Sequence, residues 1–241
     1  MQSVIIIFLF AVIVNASPAH AVDLTAGTWK GGVEIGWVST GGNTNTQSLT
    51  GKVGVTNERD AWRHNLILEV LKSKTDGNTT AERYFAGWKS DYKFTARDYL
   101  FGTASYEKDK FSGFDYRAIE AVGYGRKVMD QSNVQLELEA GMGARQSVPE
   151  HQELENEIIG RGTGRFAWEI TPSAKFTEDA NTDVGRNGSV SQSMTAIKTT
   201  IVGNLAMKAS YTIRHTSNVP AGVKKIDTIT ALTLVYTFGG A

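Results

Sequence analysis

The segment 226–238, near the C-terminus, constrains the fold most because it alternates apolar and polar residues with the period of a β-strand. Ile226, Leu232, Leu234, Tyr236 and Phe238 share one parity, whereas the opposite parity is mostly polar. The segment ends in two aromatic residues almost at the chain terminus. A strand with an apolar outer face and interfacial aromatic residues is typical of the closing strand of a transmembrane β-barrel.

The first 21 residues have the features of a secretory signal peptide. Residues 4–14 form an apolar run, and Ala-His-Ala at 19–21 supplies the small-x-small pattern that signal peptidase reads. The run is shorter than the about 20 apolar residues that a spanning helix needs. We predict a cleaved signal peptide over residues 1–21 and a single outer-membrane barrel domain over residues 22–241, with an N-terminal membrane anchor as the alternative.

The composition argues against one class of partner and excludes every feature that depends on cysteine. Lys plus Arg and Asp plus Glu number 25 each, so the formal net charge is zero. This balance argues against nucleic acid as a partner, since phosphate binding needs a basic surplus or a basic patch. The absence of cysteine excludes a lipoprotein anchor, a disulfide framework and a thiolate metal site. The sequence predicts no cofactor.

Alternating segments separated by polar turns predict about twelve strands. The seventh is the most regular, because Leu136, Leu138 and Ala140 alternate with Glu137 and Glu139. The facing of the fifth and sixth strands is ambiguous. The ninth strand is predicted to span only residues 174–179.

The connections between these strands fall into two classes. Those after even-numbered strands are tight, with centres near residues 58, 96, 131, 172 and 203. Those after odd-numbered strands are mostly longer, notably at 146–157, 179–188 and 217–225. Outer-membrane barrels have short periplasmic turns and longer outer loops. We therefore predict an all-β fold, an antiparallel transmembrane β-barrel with both termini in the periplasm.

Charged residues of both signs occupy the parity opposite to the apolar one. An Arg or Lys facing lipid near the midplane costs about 2 to 4 kcal/mol, so we expect these residues to face the lumen. They either form a charged constriction that selects solutes or an ion-pair network that fills a narrow barrel. The balanced signs favour the network, because a selective pore more often concentrates one sign. The predicted lumen-lining residues are Arg63, Glu69, Lys89, Asp91, Glu137, Glu139, Arg161, Arg165, Lys208 and Arg214.

Aromatic residues near the short turns predict an interface girdle on the periplasmic side, rather than a sugar-stacking track. The predicted members are Tyr92, Phe94, Tyr99, Tyr124, Trp168, Tyr236 and Phe238. The last two also mark the closure of the barrel.

Candidate catalytic and metal-binding residues are few. His215 lies near Ser217, but the sequence places no orienting residue with them, and we predict no catalytic residue. The acidic segment 150–157 lacks the ligand spacing of a cation site, so it is interpreted as a solvated outer loop.

Four segments resemble a known family. They are residues 36–44 (Gly-Trp-Val-Ser-Thr-Gly-Gly-Asn-Thr), 89–95 (Lys-Ser-Asp-Tyr-Lys-Phe-Thr), 106–114 (Tyr-Glu-Lys-Asp-Lys-Phe-Ser-Gly-Phe) and 123–125 (Gly-Tyr-Gly). Over nearly all of the mature chain, the sequence resembles the salt-induced outer-membrane proteins of domain of unknown function 481 (DUF481). One departure is that Gly239, Gly240 and Ala241 follow Phe238, whereas such barrels usually end on the aromatic residue.

The resemblance implies a barrel in the outer membrane of a Gram-negative bacterium and implies no reaction. The expected partners are outer-membrane lipid and lipopolysaccharide, with the barrel assembly machinery and periplasmic chaperones during biogenesis. We expect a non-enzymatic protein, either a narrow pore or an envelope component linked to salt or osmotic stress. The alternatives are a soluble periplasmic lipocalin-like binding protein, with its apolar parity inside, and an outer-membrane hydrolase.

Overall fold

The computed structural model describes residues 27–40, 46–110, 112–149, 153–219 and 222–239, and the predicted signal peptide lies outside them. No helix among the described residues is long and apolar enough to cross a membrane. The described residues form twelve strands: β1 (Thr28–Thr40), β2 (Thr46–Glu58), β3 (Trp62–Thr75), β4 (Asn78–Lys93), β5 (Asp98–Asp109), β6 (Phe114–Asp130), β7 (Val134–Pro149), β8 (Glu155–Thr171), β9 (Ala174–Gly185), β10 (Gly188–Val202), β11 (Leu205–Thr216) and β12 (Ile226–Gly239).

Each strand pairs with its sequence neighbours, and β1 pairs with β12 to close the barrel. All of these pairings are antiparallel. A closed ring leaves no sheet edge with unpaired backbone groups, which is the condition for a β-structure in lipid. The predicted twelve-stranded antiparallel barrel is confirmed.

The two ends of the barrel differ in their connections. The end that carries Thr28 and Gly239 is joined by short turns such as 131–133, 172–173 and 203–204, and we call it the turn end. The opposite end, the loop end, carries the longest connection, 217–225.

Two loop-end connections are nevertheless very short. Residues 76–77 form a hairpin turn in which Asp76 and Gly77 both have positive φ (49° and 81°), as a type I′ turn requires. The predicted long loop at 179–188 is wrong, because β9 continues to Gly185 and only 186–187 connect it to β10. The outward residues of this stretch include Ala180 and Thr182, so it lacks the apolar alternation that would identify a strand.

The apolar parity lies outside and the charged parity inside. On β7, Leu138 and Met142 are exposed on the outer surface, whereas Glu139 and Arg145 are buried in the interior. This is the reverse of a soluble barrel, which buries its apolar face. The lipocalin-like alternative is therefore not what the structure shows.

Glu120 on β6 and Glu178 on β9 depart from this rule and lie on the outer face. Glu120 is exposed opposite Ala104 and Ala144 of the adjacent strands. Glu178 accepts hydrogen bonds from the hydroxyls of Ser193 and Thr195 on β10. The exterior is thus locally polar on β6 and on β9–β10.

The junction of β1 and β12, which we call the seam, has the shortest register among the strand pairs of the described residues. It runs from Lys30 opposite Gly239 to Ile35 opposite Leu234, whereas the β1–β2 register covers all of β1. At the seam, the Phe238 ring lies over Gly31, where a Cβ atom would come within 2.6 Å of the ring.

Candidate functional site: the charged interior

A dense group of charged side chains fills the interior near the turn end. We call it the turn-end cluster, and its carboxylates and cations come from β3, β4, β7 and β8. These strands project the residues inward because each one occupies the parity opposite to the lipid-facing residues. Its members are Arg63, Lys89, Asp91, Tyr99, Glu137, Glu139 and Arg165.

Arg63 joins two parts of the turn-end cluster. Its Nε lies 2.6 Å from Asp91 Oδ2, and its two terminal nitrogens donate to the carboxylate of Glu137 at 3.0 and 3.1 Å. The side chain of Asp91 is 0% exposed and is also paired with Lys89. Because β3 and β7 are not neighbours in the ring, the Arg63–Glu137 pair crosses part of the lumen.

Glu139 is the most heavily engaged carboxylate of this cluster. Its Oε1 lies 2.8 Å from Lys89 Nζ and 2.8 Å from Arg165 Nη1. Arg165 Nη2 donates to Oε2 at 3.2 Å, and the Tyr99 hydroxyl donates to Oε1 at 2.8 Å. Two cations thus neutralise the carboxylate and one hydroxyl donates a hydrogen bond to it, although the side chain is only 2% exposed.

Tyr99 was predicted to belong to the interface girdle, and the structure corrects this. The residue is 1% exposed and points into the lumen. Its ring lies against Gly125, where a Cβ atom would come within 2.4 Å of Tyr99 Cε2. A glycine opposite the aromatic residue therefore makes room for the ring, which gives the Gly-Tyr-Gly segment 123–125 a physical role.

A second set of ion pairs, the cross-lumen chain, lies toward the loop end. Lys52 contacts Glu69 at 3.0 Å, and Glu69 contacts Arg83 at 3.1 Å. Arg83 contacts Glu107 at 2.7 Å, and Glu107 contacts Arg214 at 2.6 Å. Glu107 is on β5 and Arg214 on β11, half a ring apart. The last pair therefore spans the whole width of the lumen.

The remaining predicted lumen residues form separate pairs. Arg161 contacts Asp183 at 3.0 Å, and Lys208 contacts Glu34 at 2.5 Å. All ten residues predicted to line the lumen thus lie in the interior, each within an ion pair. Whether they line a conducting path remains a prediction.

A cavity of about 230 Å³, which we call the loop-end chamber, opens at the other end of the interior. Arg145 anchors it, because its Nε donates to Glu157 Oε1 at 2.7 Å and its Nη2 donates to the Gly188 carbonyl at 2.9 Å. Its lining includes Phe114, Arg117, Arg145, Ser147, Glu155, Glu157, Asn187, Thr216 and Asn218.

At the loop-end rim, Lys110 lies in the connection between β5 and β6. Its Nζ is 2.8 Å from Glu82 Oε1, and this hydrogen bond raises the pKa of Lys110 above its ordinary value. The Lys110 side chain is 53% exposed, more than any cation of the interior pairs described above, so solvent screens this pair.

Aromatic side chains surround the turn end on the outside. Tyr92, Phe94, Trp168, Tyr236 and Phe238 are all exposed there, as is Tyr124. The rings of Trp62 and Tyr92 contact each other in a tilted arrangement, with centroids 5.1 Å apart. The arrangement has the form of the aromatic band that outer-membrane barrels place at a membrane interface.

His215 and Ser217 do not form a catalytic pair. The Ser217 hydroxyl accepts a hydrogen bond from the Ser189 amide at 2.7 Å, and no hydrogen bond joins it to His215 in the described part of the chain. Among the described residues, no group of three His, Cys, Asp or Glu side chains is arranged to hold a metal ion. Part of the acidic segment, residues 150–152, lies outside the described residues.

Sequence reasoning missed several interior residues. Glu107 and Arg117 lie on β5 and β6, the two strands whose facing was ambiguous, and Asp183 lies in the part of β9 taken for a loop. The signal that identifies Glu107 is its parity with Tyr99 and Phe101, both buried.

The closed ring, the apolar exterior and the charged interior together define an outer-membrane-type β-barrel. An outer membrane channel from Pseudomonas putida F1 has a similar fold, with a TM-score of 0.51 at 11% identity over 93% of this chain and 100% of that one. The translocator domain of the autotransporter NalP from Neisseria meningitidis gives 0.50 at 11% identity, over 90% of each chain.

Residues 33–238 match the family described as "Protein of unknown function, DUF481", and the chain belongs to this family. The uncharacterized protein YdiY of Escherichia coli (strain K12) is 28% identical over 212 residues, which cover 87% of this chain and 83% of YdiY. The predicted membership of DUF481 is confirmed.

Proposed function

We propose that this chain is an outer-membrane barrel whose interior provides a narrow, ion-pair-lined path for ions or small solutes. The observation that carries the proposal is the Glu107–Arg214 pair, which bridges strands half a ring apart at 2.6 Å. A path through this lumen passes the bridge, so the pair acts as a constriction. The proposal assigns no reaction to the protein.

The strand number supports a narrow path. Eight-stranded barrels are filled by their own side chains, whereas barrels of 16 to 18 strands leave an open aqueous channel. A ring of twelve strands lies between these cases. Its turn-end cluster and cross-lumen chain occupy much of the width that such a ring provides.

The exterior supports location in an outer membrane. Exposed apolar residues such as Leu68, Leu138 and Leu234 would contact lipid, and the aromatic band at the turn end would mark the periplasmic interface. The loop end would then face outward, toward lipopolysaccharide. Insertion would require the barrel assembly machinery and its periplasmic chaperones.

Conductance in planar lipid bilayers tests the path. We expect the wild-type protein to give small, steady steps and Arg214→Met to give steps several-fold larger, because the variant removes one side of the bridge. Lys175→Gln, at an exposed pair near the turn end, is the matched control and should leave the steps unchanged. A folded barrel without conductance in all three forms would overturn the channel proposal.

A second candidate is a closed barrel that serves envelope integrity under salt or osmotic stress. The turn-end cluster favours it, because the buried carboxylates of Glu139 and Asp91 are each already paired with two cations. A deletion strain that grows poorly at high salt, and is rescued by both the wild type and a non-conducting variant, would support this role. Rescue by conducting forms alone would contradict it.

A further inference from the structure

Within the described part of the chain, the loop-end chamber contains two buried hydrogen-bond donors without acceptors, Arg117 Nη1 and Arg145 Nη1. We propose that it binds a small oxyanion, a carboxylate or a phosphate group, through Arg117 and Arg145. This inference deepens the channel proposal by naming the class of solute held at the outer entrance, and it rests on that proposal for its physiological meaning. The site itself rests on the following contacts.

Arg117 is a buried cation that forms no ion pair with a carboxylate among the described residues. The residue is 6% exposed, and its Nη1 has no hydrogen-bond partner among the described residues. Its guanidinium lies over the ring of Phe114, 3.7 Å from the centroid. A charged group removed from water is unfavourable unless it is paired and hydrogen-bonded. A bound anion would supply the negative charge and the hydrogen-bond acceptor that this guanidinium needs.

Arg145 offers a second free donor in the same cavity. The residue is 4% exposed, and Glu157 and the Gly188 carbonyl engage its Nε and Nη2. Its Nη1 has no partner among the residues that the structure describes. Glu157 thus fixes the orientation of the guanidinium and leaves one edge of the fork unused.

The two arginines are placed to act together. Arg117 on β6 lies directly opposite Ser147 on β7, and Arg145 lies two residues before Ser147 on the same face. Such diagonal neighbours on adjacent strands are about 7 to 8 Å apart, within reach of long side chains that converge on one group. Two guanidinium groups that converge in this way are suited to the several oxygens of a carboxylate or phosphate.

The carboxylates around the chamber are already engaged. Glu157 Oε1 accepts from Arg145, and its Oε2 accepts from the Asn187 amide at 2.8 Å. Glu155 Oε2 accepts from Asn187 Nδ2 at 2.9 Å. Glu107, opposite Arg117 in the β5–β6 register, is bound by cations of the cross-lumen chain. Among the described residues that line the chamber, the buried side-chain polar atoms left without a partner are the Nη1 atoms of Arg117 and Arg145.

The size of the chamber limits the ligand. Its volume of about 230 Å³ compares with roughly 30 Å³ for one water molecule in the liquid. A small organic acid or a phosphate fits this space, whereas a polymer does not. The hydroxyls of Ser147 and Thr216 and the amide of Asn218 also line it and can contact the rest of a polar solute.

Titration calorimetry of the detergent-solubilised barrel tests the site, with acetate and inorganic phosphate as probes at low ionic strength. We expect one binding site that weakens as chloride is added. Arg117→Met and Arg145→Met should each weaken binding by about tenfold or more, the loss expected for one charge-assisted hydrogen bond. Arg117→Lys should retain part of the affinity, because it keeps the charge without the planar fork.

Arg161→Met is the matched control, since it removes an interior arginine that pairs with Asp183 outside the chamber. Heat-modifiable gel migration establishes that each variant is folded. Binding of acetate alone, phosphate alone or both supports the site and identifies the anion. The absence of binding in the wild type, or equal binding in Arg117→Met and the wild type, would overturn it. Binding without conductance would support the site and overturn the channel, so the two failures are distinguishable.

Discussion

The turn-end cluster and the loop-end chamber are lined by the same residue types but differ in how their charges are matched. At Glu139, two cations and a tyrosine hydroxyl converge on one buried carboxylate. In the chamber, Arg117 and Arg145 each retain a donor that finds no acceptor among the residues that the structure describes. Charges that are fully paired stabilise the barrel, whereas donors without acceptors can bind a ligand. The local pairing of charged side chains is thus a better guide to a binding site than the net charge of the interior.

The largest expected effect on stability is in the turn-end cluster. Glu139→Gln leaves Lys89 and Arg165 without their shared carboxylate, so we expect it to lower the free energy of unfolding by about 3 to 5 kcal/mol. Urea titration of the barrel in lipid vesicles measures this. Glu58→Gln is the control: its pair with Lys93 is partly exposed, and its loss should change stability by about 0 to 1 kcal/mol. Equal effects would show that Glu139 is not a buried hub.

The next effect tests which face of β7 is inside. Leu138 precedes Glu139 and is exposed on the outer surface. Leu138→Arg should therefore destabilise the barrel by about 2 to 4 kcal/mol if it lies near the midplane of the membrane. The same urea titration, with Leu138→Met as the control for loss of shape, measures the difference. A tolerated arginine would mean that the assigned facing is reversed.

A smaller loss of stability is expected for a substitution in the loop-end chamber. Arg145→Met removes the cationic partner of Glu157, but that carboxylate keeps its bond from the Asn187 amide. We expect a loss of about 1 to 3 kcal/mol, the range for a buried group deprived of one partner. A loss as large as that of Glu139→Gln would place the chamber with the matched cluster and would contradict the comparison.

The smallest effect on the free energy of unfolding is expected for the replacement of Arg117. The Arg117 guanidinium has no ion pair within the described residues, and its replacement by Met keeps contact with Phe114 and removes a buried charge. The free energy of unfolding should change by less than about 1 kcal/mol or should rise, as observed when hydrophobic residues replace buried charges. Marked destabilisation of Arg117→Met would reveal a structural partner and would weaken the case for a ligand.

The sequence carried enough information for the barrel and for the facing of its regular strands. On β7, strict alternation of Leu136 and Leu138 with Glu137 and Glu139 distinguishes the two faces, because lipid excludes charge from one of them. On β9, Ala180 and Thr182 on the outer face provide no such contrast, and the strand was predicted to end at Asp179. Residue periodicity locates a strand only where its two faces meet different solvents.

The pairing inside the lumen could not be predicted. Whether Glu107 meets Arg214 depends on the height at which β5 and β11 face each other across the ring, and so on the stagger accumulated around the barrel. No local pattern encodes that height. The free donors of Arg117 and Arg145 depend in turn on which neighbours are already paired, so the loop-end chamber emerges only from the closed structure.

The seam has a consequence for how this ring opens and closes. Parting β1 from β12 breaks fewer ladder hydrogen bonds than parting any other strand pair in the described residues, because their register ends at Ile35 and Leu234. Thermal opening should therefore concentrate there, while the other pairs hold together as one curved sheet. The seam also joins the two strands of the ring that lie farthest apart in the sequence. Its closure converts a sheet with two exposed edge strands, which could pair with other chains, into a ring without edge strands.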